Sequence, residues 1–154
     1  MPRESLDPAT RLVLDVFRLN GHLLAAGDAL AGDEGLTSAR WQVMGAIVLA
    51  GRALSVPQIA RRMGLTRQSV QVSVNRLAEV RMLAAEPNAD HRRSPLFDLT
   101  DEGTTVYRRL TERQQDWIAG LTEGLSDADL HTTSRVLRAL SHRLGGTDRG
   151  SDST

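Results

Sequence analysis

The feature that most constrains this chain is a short device that occurs four times: an apolar residue, then Ser or Thr, then a second apolar residue four positions after the hydroxyl. Leu36-Thr37 pairs in this way with Trp41, Leu54-Ser55 with Ile59, Leu65-Thr66 with Val70, and Leu125-Ser126 with Leu130. A hydroxyl so placed accepts from the free backbone N–H groups of a helix start, while the flanking apolar side chains staple the entering chain onto the helix. Ser55-x-x-Gln58 also has the form of a capping box. The device predicts helices over about 37–50, 55–63, 66–80 and 126–144. Gly51 and Gly64 stand where a helix end favours a left-handed residue. Upstream, Leu12, Val16, Leu19, Leu23 and Leu30 share a helical spacing, which predicts an amphipathic helix from about 9 to 31, ended by Gly32-Asp33-Glu34-Gly35. A further helix is expected over 101–123.

Residues 81–99 follow another pattern. Leu83 and Ala85 alternate weakly, Glu86-Pro87-Asn88-Ala89-Asp90 is a dense turn signal, and Phe97 and Leu99 then resume the alternation. This predicts a β-hairpin with Arg92 and Arg93 near its tip. The fold class is therefore mainly α with a small β-hairpin (α+β). Five segments are expected: a flexible lead (1–8), a first helix (9–35), a central lobe (36–100), two closing helices (101–144) and a disordered tail (145–154).

At 154 residues the chain suffices for one compact domain or a small domain plus an appended element, and 40% hydrophobic residues supply a core. The absence of cysteine removes disulfides, thiolate metal sites and thiol nucleophiles. No apolar run reaches the roughly 20 residues of a membrane span, so no membrane partner is expected. Met1-Pro2-Arg3-Glu4-Ser5 lacks the apolar stretch of a secretory signal, and a cytoplasmic location is expected. Gly-rich phosphate loops, Gly-x-Ser-x-Gly elbows and His-Glu-x-x-His motifs are all missing, so neither an enzyme nor a cofactor is expected. Of the four histidines, His131 and His142 share a helix face but lie roughly 16 Å apart, too far to ligate one zinc. No metal site is expected.

The formal charge is zero, from 19 basic and 19 acidic residues, but it is unevenly spread. From Arg52 to Arg93 eight arginines face three acids, a surplus of five that the rest of the chain reverses. Every basic residue is Arg, so any phosphate or base contact here is made by a planar guanidinium fork. A local patch of this kind sets the field that a polyanion meets.

Two short helices joined only by Gly64-Leu65 form a helix-turn-helix, whose second helix enters the DNA major groove. At 100° per residue, Val70, Val74 and Leu77 fall within about 60° of one another and must face the core. Opposite them lie Gln68, Val72, Asn75 and Arg76, with Ser69 and Gln71 at the margins and Thr66 and Arg67 at the helix start. Amides match adenine edges, Arg matches guanine, and an outward Val suits a thymine methyl. A merely solvated face of this length would normally mix Glu with Arg, and here Glu79 comes only after the surface ends. At the hairpin tip, Asp90-His91-Arg92-Arg93 reads as a wing that sets Arg92 and Arg93 on phosphate or in the minor groove, with Asp90 steering Arg92. The rival reading is a winged-helix protein-interaction module that binds a partner chain, without sequence-specific DNA binding or a salt-steep affinity for duplex DNA.

These residues resemble the MarR (multiple antibiotic resistance regulator) transcription factors over about residues 9–144. The resemblance is most specific from Ala60-Arg61-Arg62-Met63-Gly64-Leu65-Thr66-Arg67-Gln68-Ser69-Val70 to the wing motif Asp90-x-Arg92 and the Leu99-Thr100-x-x-Gly103 that follows it. It implies a winged helix-turn-helix with a helical dimerisation region: a homodimer on a palindromic operator of double-stranded DNA, usually a repressor, often released by a small phenolic or anionic ligand. A lone helix-turn-helix makes few contacts, so such modules commonly pair across two half-sites. The first and last helices supply apolar stripes for that pairing; in the closing helices these are Leu110, Trp117, Leu121, Leu137, Leu140 and Leu144. The resemblance also implies an effector pocket between the dimerisation helices and the DNA-binding lobe. His22, Arg40, Trp41 and Met44 are its candidate lining, although Trp41 already serves as a staple and His22 has the character of a solvated side chain.

Overall fold

Helix starts fall within one residue of the capping hydroxyls. The computed structural model describes residues 6–145, and the parts of the expected lead and tail at 1–5 and 146–154 lie outside them. The elements are α1 (Pro8–Ala31), a 3-10 turn (Gly32–Glu34), α2 (Ser38–Ala50), β1 (Leu54–Ser55), α3 (Val56–Met63), α4 (Arg67–Glu79), β2 (Leu83–Glu86), β3 (Leu96–Leu99), α5 (Asp101–Leu121) and α6 (Asp127–Gly145). The chain divides into two compact units, residues 1–113 and residues 114–154.

The caps explain why the elements begin where they do. Thr37 Oγ1 accepts from the Arg40 N–H at 3.3 Å, and Thr66 Oγ1 accepts from the Ser69 N–H at 3.1 Å. Gln58 Oε1 reaches back to accept from the Ser55 N–H at 2.9 Å. In the second unit, Ser126 Oγ accepts from the Asp129 N–H at 3.1 Å. A cap without a staple starts α1: Asp7 Oδ1 accepts from the N–H groups of Ala9 and Thr10, with Pro8 in the first turn where it costs no hydrogen bond. Gly35, Gly51 and Gly64 each have φ near +65° at the end of a helical segment, a conformation open to glycine without strain.

The core of the first unit gathers Val43, Met44 and Ile47 from α2, Leu54 and Ile59 around α3, and Val70, Val74 and Leu77 from α4, all essentially closed to solvent. Gly103, Val106 and Leu110 of α5 are buried too, and the latter two join this core. Leu110 therefore corrects one expectation: it fills the protomer's own interior and cannot supply dimerisation surface. In the second unit, Leu121 and Leu144 are exposed and no described residue of α6 is fully buried.

The expected hairpin is present, with Leu83 opposite Leu99 and Ala85 opposite Phe97. The sheet has a third strand that the sequence does not announce. Leu54 and Ser55 pair antiparallel with Phe97 and Leu96, giving the order β1-β3-β2. Two residues are too few to show a strand period, and both already fit the staple and cap of α3. The extra strand fixes the base of the hairpin against the start of α3.

Candidate nucleic-acid interface

The three core-facing positions of α4 alternate with an exposed face, as the wheel requires. Gln68, Val72, Asn75 and Arg76 are all exposed, and Val72 keeps 65% of its surface. An outward β-branched apolar side chain gains nothing from water and is suited to an apolar partner. Thr66, Arg67 and Ser69 are exposed at the start of the same helix, where the Ser69 hydroxyl donates back to the Thr66 carbonyl at 3.0 Å.

Two side-chain pairs along this face set its free valences. Gln71 Nε2 donates to Asn75 Oδ1 at 2.8 Å, so the amides form one connected unit, with the Asn75 amino group directed elsewhere. Arg76 pairs with Glu79 at 3.0 Å, both well exposed, an i,i+3 contact of little stabilising worth. That pairing is readily exchanged for a better acceptor.

The hairpin tip is held by Asn88, whose Nδ2 donates to the Ser94 carbonyl at 2.8 Å and whose Oδ1 accepts from the Asp90 N–H at 3.2 Å. Asp90, Arg92 and Arg93 are exposed. Among the described residues no ion pair joins Asp90 to Arg92, so the steering contact expected from the motif is not formed in the free chain. Among the same residues Arg92 and Arg93 have no carboxylate partner, in contrast to Arg18, Arg76, Arg109 and Arg113.

Two clefts flank the wing. One, of about 340 Å³, lies between its base and α4 and includes Arg67, Gln68, Gln71 and Arg93. The other, of about 740 Å³, lies between the wing and α3 and includes Arg52, Arg61, Arg92 and Arg93. The sequence places Arg52 and Arg61 in the basic segment but assigns them no role, because Arg61 and Arg92 stand 31 positions apart and it takes tertiary pairing such as β1–β3 to bring the two regions together.

The effector candidates are placed apart from these clefts, and neither cleft includes any of them. Trp41 and Met44 belong to the hydrophobic core, Arg40 is half-buried on α2, and His22 is exposed on α1.

A three-helix lobe with its second and third helices in a tight turn, closed by a three-stranded sheet whose hairpin projects arginines, defines a winged helix-turn-helix protein. A model of the MarR family matches residues 34–94, from the 3-10 turn to the wing. Over 134 residues the chain is 42% identical to the uncharacterized protein Rv2011c of Mycobacterium tuberculosis, spanning 87% of this chain and 92% of that one. It is 26% identical to the transcriptional activatory protein BadR of Rhodopseudomonas palustris over 149 residues, 96% of this chain and 84% of that one. The crystal structure of the PcaV transcriptional regulator from Streptomyces coelicolor, solved in complex with its natural ligand, superposes with a TM-score of 0.72 at 26% identity, covering 89% of this chain and 96% of that one. The chain belongs to the MarR family of transcription regulators.

Proposed function

We propose that the protein is a homodimeric repressor that reads a palindromic operator in double-stranded DNA. Gln68, Val72 and Asn75 of α4 are assigned to base edges in the major groove, and Arg92 and Arg93 to the backbone or minor groove beside it. The observation that carries this reading is the exposed face of α4, carboxylate-free from Arg67 to Arg76 and set beside unpaired wing arginines. An outward Val72 in a row of amides, with no carboxylate among them, suits a thymine methyl beside adenine edges.

Dimerisation follows from α1. All of its residues from Pro8 to Ala25 are exposed, although Leu12, Val16, Leu19 and Leu23 form one apolar row. An unpartnered row of that length favours a second copy as its cover, and a two-fold pair presents two recognition helices to two half-sites. A small-molecule effector is assigned to the protein by analogy with PcaV, solved with its natural ligand, and its aromatic or anionic character is what the family resemblance implies. His22, Arg40, Trp41 and Met44 remain its proposed contacts.

Selection of bound duplexes from a random pool tests the proposal. A palindromic consensus with half-sites about one helical turn apart supports DNA readout and dimerisation together. Recovery of no preferred sequence would refute it. Because the relative BadR is described as an activatory protein, a reporter driven from the selected site then decides the sign of regulation.

A further inference from the structure

We propose that the cleft between α3 and the wing is a seat for a DNA backbone phosphate, with Arg52 and Arg61 as its ligands from the α3 side. The inference rests on the DNA-binding reading above and adds to it a grip outside the recognition helix.

Four arginines, Arg52, Arg61, Arg92 and Arg93, line the cleft against a single acidic residue, Asp90. Among the described residues Arg61, Arg92 and Arg93 have no carboxylate partner, and Arg52 donates only to the neighbouring Ala53 carbonyl, at 3.3 Å. Like charges gathered around one concavity repel one another, and a bound anion turns that repulsion into attraction. A guanidinium fork matches the two free oxygens of a phosphodiester.

Size and position select the occupant. At about 740 Å³ the cleft is within the range of small-ligand sites, roomy enough for a phosphate with its flanking sugars. Arg93, Ser94 and Pro57 line this cleft and also the smaller one that contains Gln68 and Gln71 of α4. The phosphate seat is thus continuous with the base-reading surface. In a helix-turn-helix the first helix of the pair crosses the backbone while the second reads the groove, and Arg61 stands in the last turn of that first helix.

The test uses the full chain and a duplex recovered from the random pool. For the double variant Arg52→Gln/Arg61→Gln, the slope of log K against log salt should become shallower by about 0.9 for each phosphate that each protomer ceases to neutralise, with base preference unchanged. Arg135→Gln, in the second unit, should leave the slope as it is. Methylphosphonate scanning of the duplex supplies a second measurement that needs no variant to fold for its first arm. Neutralising one backbone position per half-site should weaken the unaltered protein more than the double variant, in which only the wing arginines still face that phosphate. A double variant with the original slope, or a scan without such a position, overturns the phosphate seat while leaving DNA binding intact. Failure of the unaltered protein to bind any duplex would instead overturn the functional reading itself.

Discussion

The Thr100 hydroxyl donates to the Arg81 carbonyl at 2.6 Å and accepts from the Gly103 N–H at 3.0 Å, so one side chain joins the entry to the wing with the start of α5. Thr100 also donates its backbone N–H to the Met82 carbonyl at 3.1 Å. A Cβ built on Gly103 would lie 2.1 Å from that same carbonyl oxygen. The Leu-Thr-x-x-Gly segment is therefore a structural clasp that closes the hairpin onto the helix behind it.

Gly103→Ala should destabilise the protein strongly, because the obstacle is backbone and cannot swing aside. A cost of about 1–3 kcal/mol or more is expected for this overpacking, read as a lower midpoint in chemical denaturation. Gly120→Ala is the matched comparison, since a Cβ there meets nothing within 4 Å. Its effect should be neutral or stabilising, by up to about 1 kcal/mol, as for any helix-interior glycine without a packing role. Equal effects at the two sites would contradict the clasp.

A second junction sits between α1 and α2. Asp28 Oδ1 accepts from the Ser38 N–H at 2.7 Å, so a side chain of one helix caps the next, and Gly27 packs directly on Ser38. Asp28→Ala leaves a free N–H beside the buried Ser38 and should cost about 1–3 kcal/mol. Thr37→Ala removes the other cap of α2 at about 1 kcal/mol. Because both caps serve the same helix start, the double variant should be destabilised by an amount different from the sum. Strict additivity in thermal denaturation would show that they act independently.

These two junctions mark the boundary of what the sequence discloses. Helix starts are legible because a hydroxyl cap and its staple are local, and Thr37, Ser55, Thr66 and Ser126 each stand one residue before an observed helix. The exposed row of α4 is legible for the same reason, since helical periodicity alone separates Val70, Val74 and Leu77 from Gln68, Val72 and Asn75. Pairings between distant segments are not. Nothing local announces that Asp28 caps Ser38, that Leu54 pairs with Phe97, or that Arg109 forks onto Glu34 at 2.8 and 3.1 Å. Leu110 shows the limit most clearly: its stripe is visible, but an apolar stripe does not say whether its own core or a second chain will cover it.

At the start of α1, the Thr10 hydroxyl and backbone N–H, together with the Ala9 N–H, hold the Asp7 carboxyl below its ordinary value of 3.8. A lowered carboxyl favours the folded cap above that ordinary value, and the contribution disappears as pH falls through the lowered one. The protection of the Ala9 and Thr10 amides, taken relative to their intrinsic exchange rates, should therefore fall on acidification at the low end of the carboxylate range. In Asp7→Asn the same amides should show no such step, and a step surviving that change would assign it to another group.

The apolar row of α1 makes a prediction about assembly. Leu19→Glu places a charge in the middle of Leu12, Val16 and Leu23, on a helix face outside the protomer's core. Light scattering should report a monomer where the unaltered chain is a dimer, with the circular dichroism of the folded lobe retained. Phe17, 72% exposed, offers an independent probe of the same helix. A Leu19→Glu protein that remains dimeric would move the interface elsewhere.

The sharpest prediction separates reading from gripping on the DNA surface itself. Gln68→Ala and Asn75→Ala each remove amide donors and acceptors from the exposed face of α4, and each should cost about 1–3 kcal/mol at one operator position per half-site. The penalty should vanish on duplexes already mismatched at that position, while the salt slope stays unchanged, because every phosphate keeps its cation. Arg92→Ala should do the reverse: weaken binding to all sequences and flatten the slope by about 0.9 for each phosphate left without a cation in each protomer. Asn75 needs separate attention because it accepts from Gln71 in the free chain. Gln71→Ala frees that acceptor, and its effect should be smaller than that of Asn75→Ala if Asn75 is the group that meets the base. Should Gln71→Ala prove the more costly, Gln71 is the reader and Asn75 the residue that orients it. Should base preference survive all three amide substitutions at every position, the face of α4 assigned to the groove does not touch it.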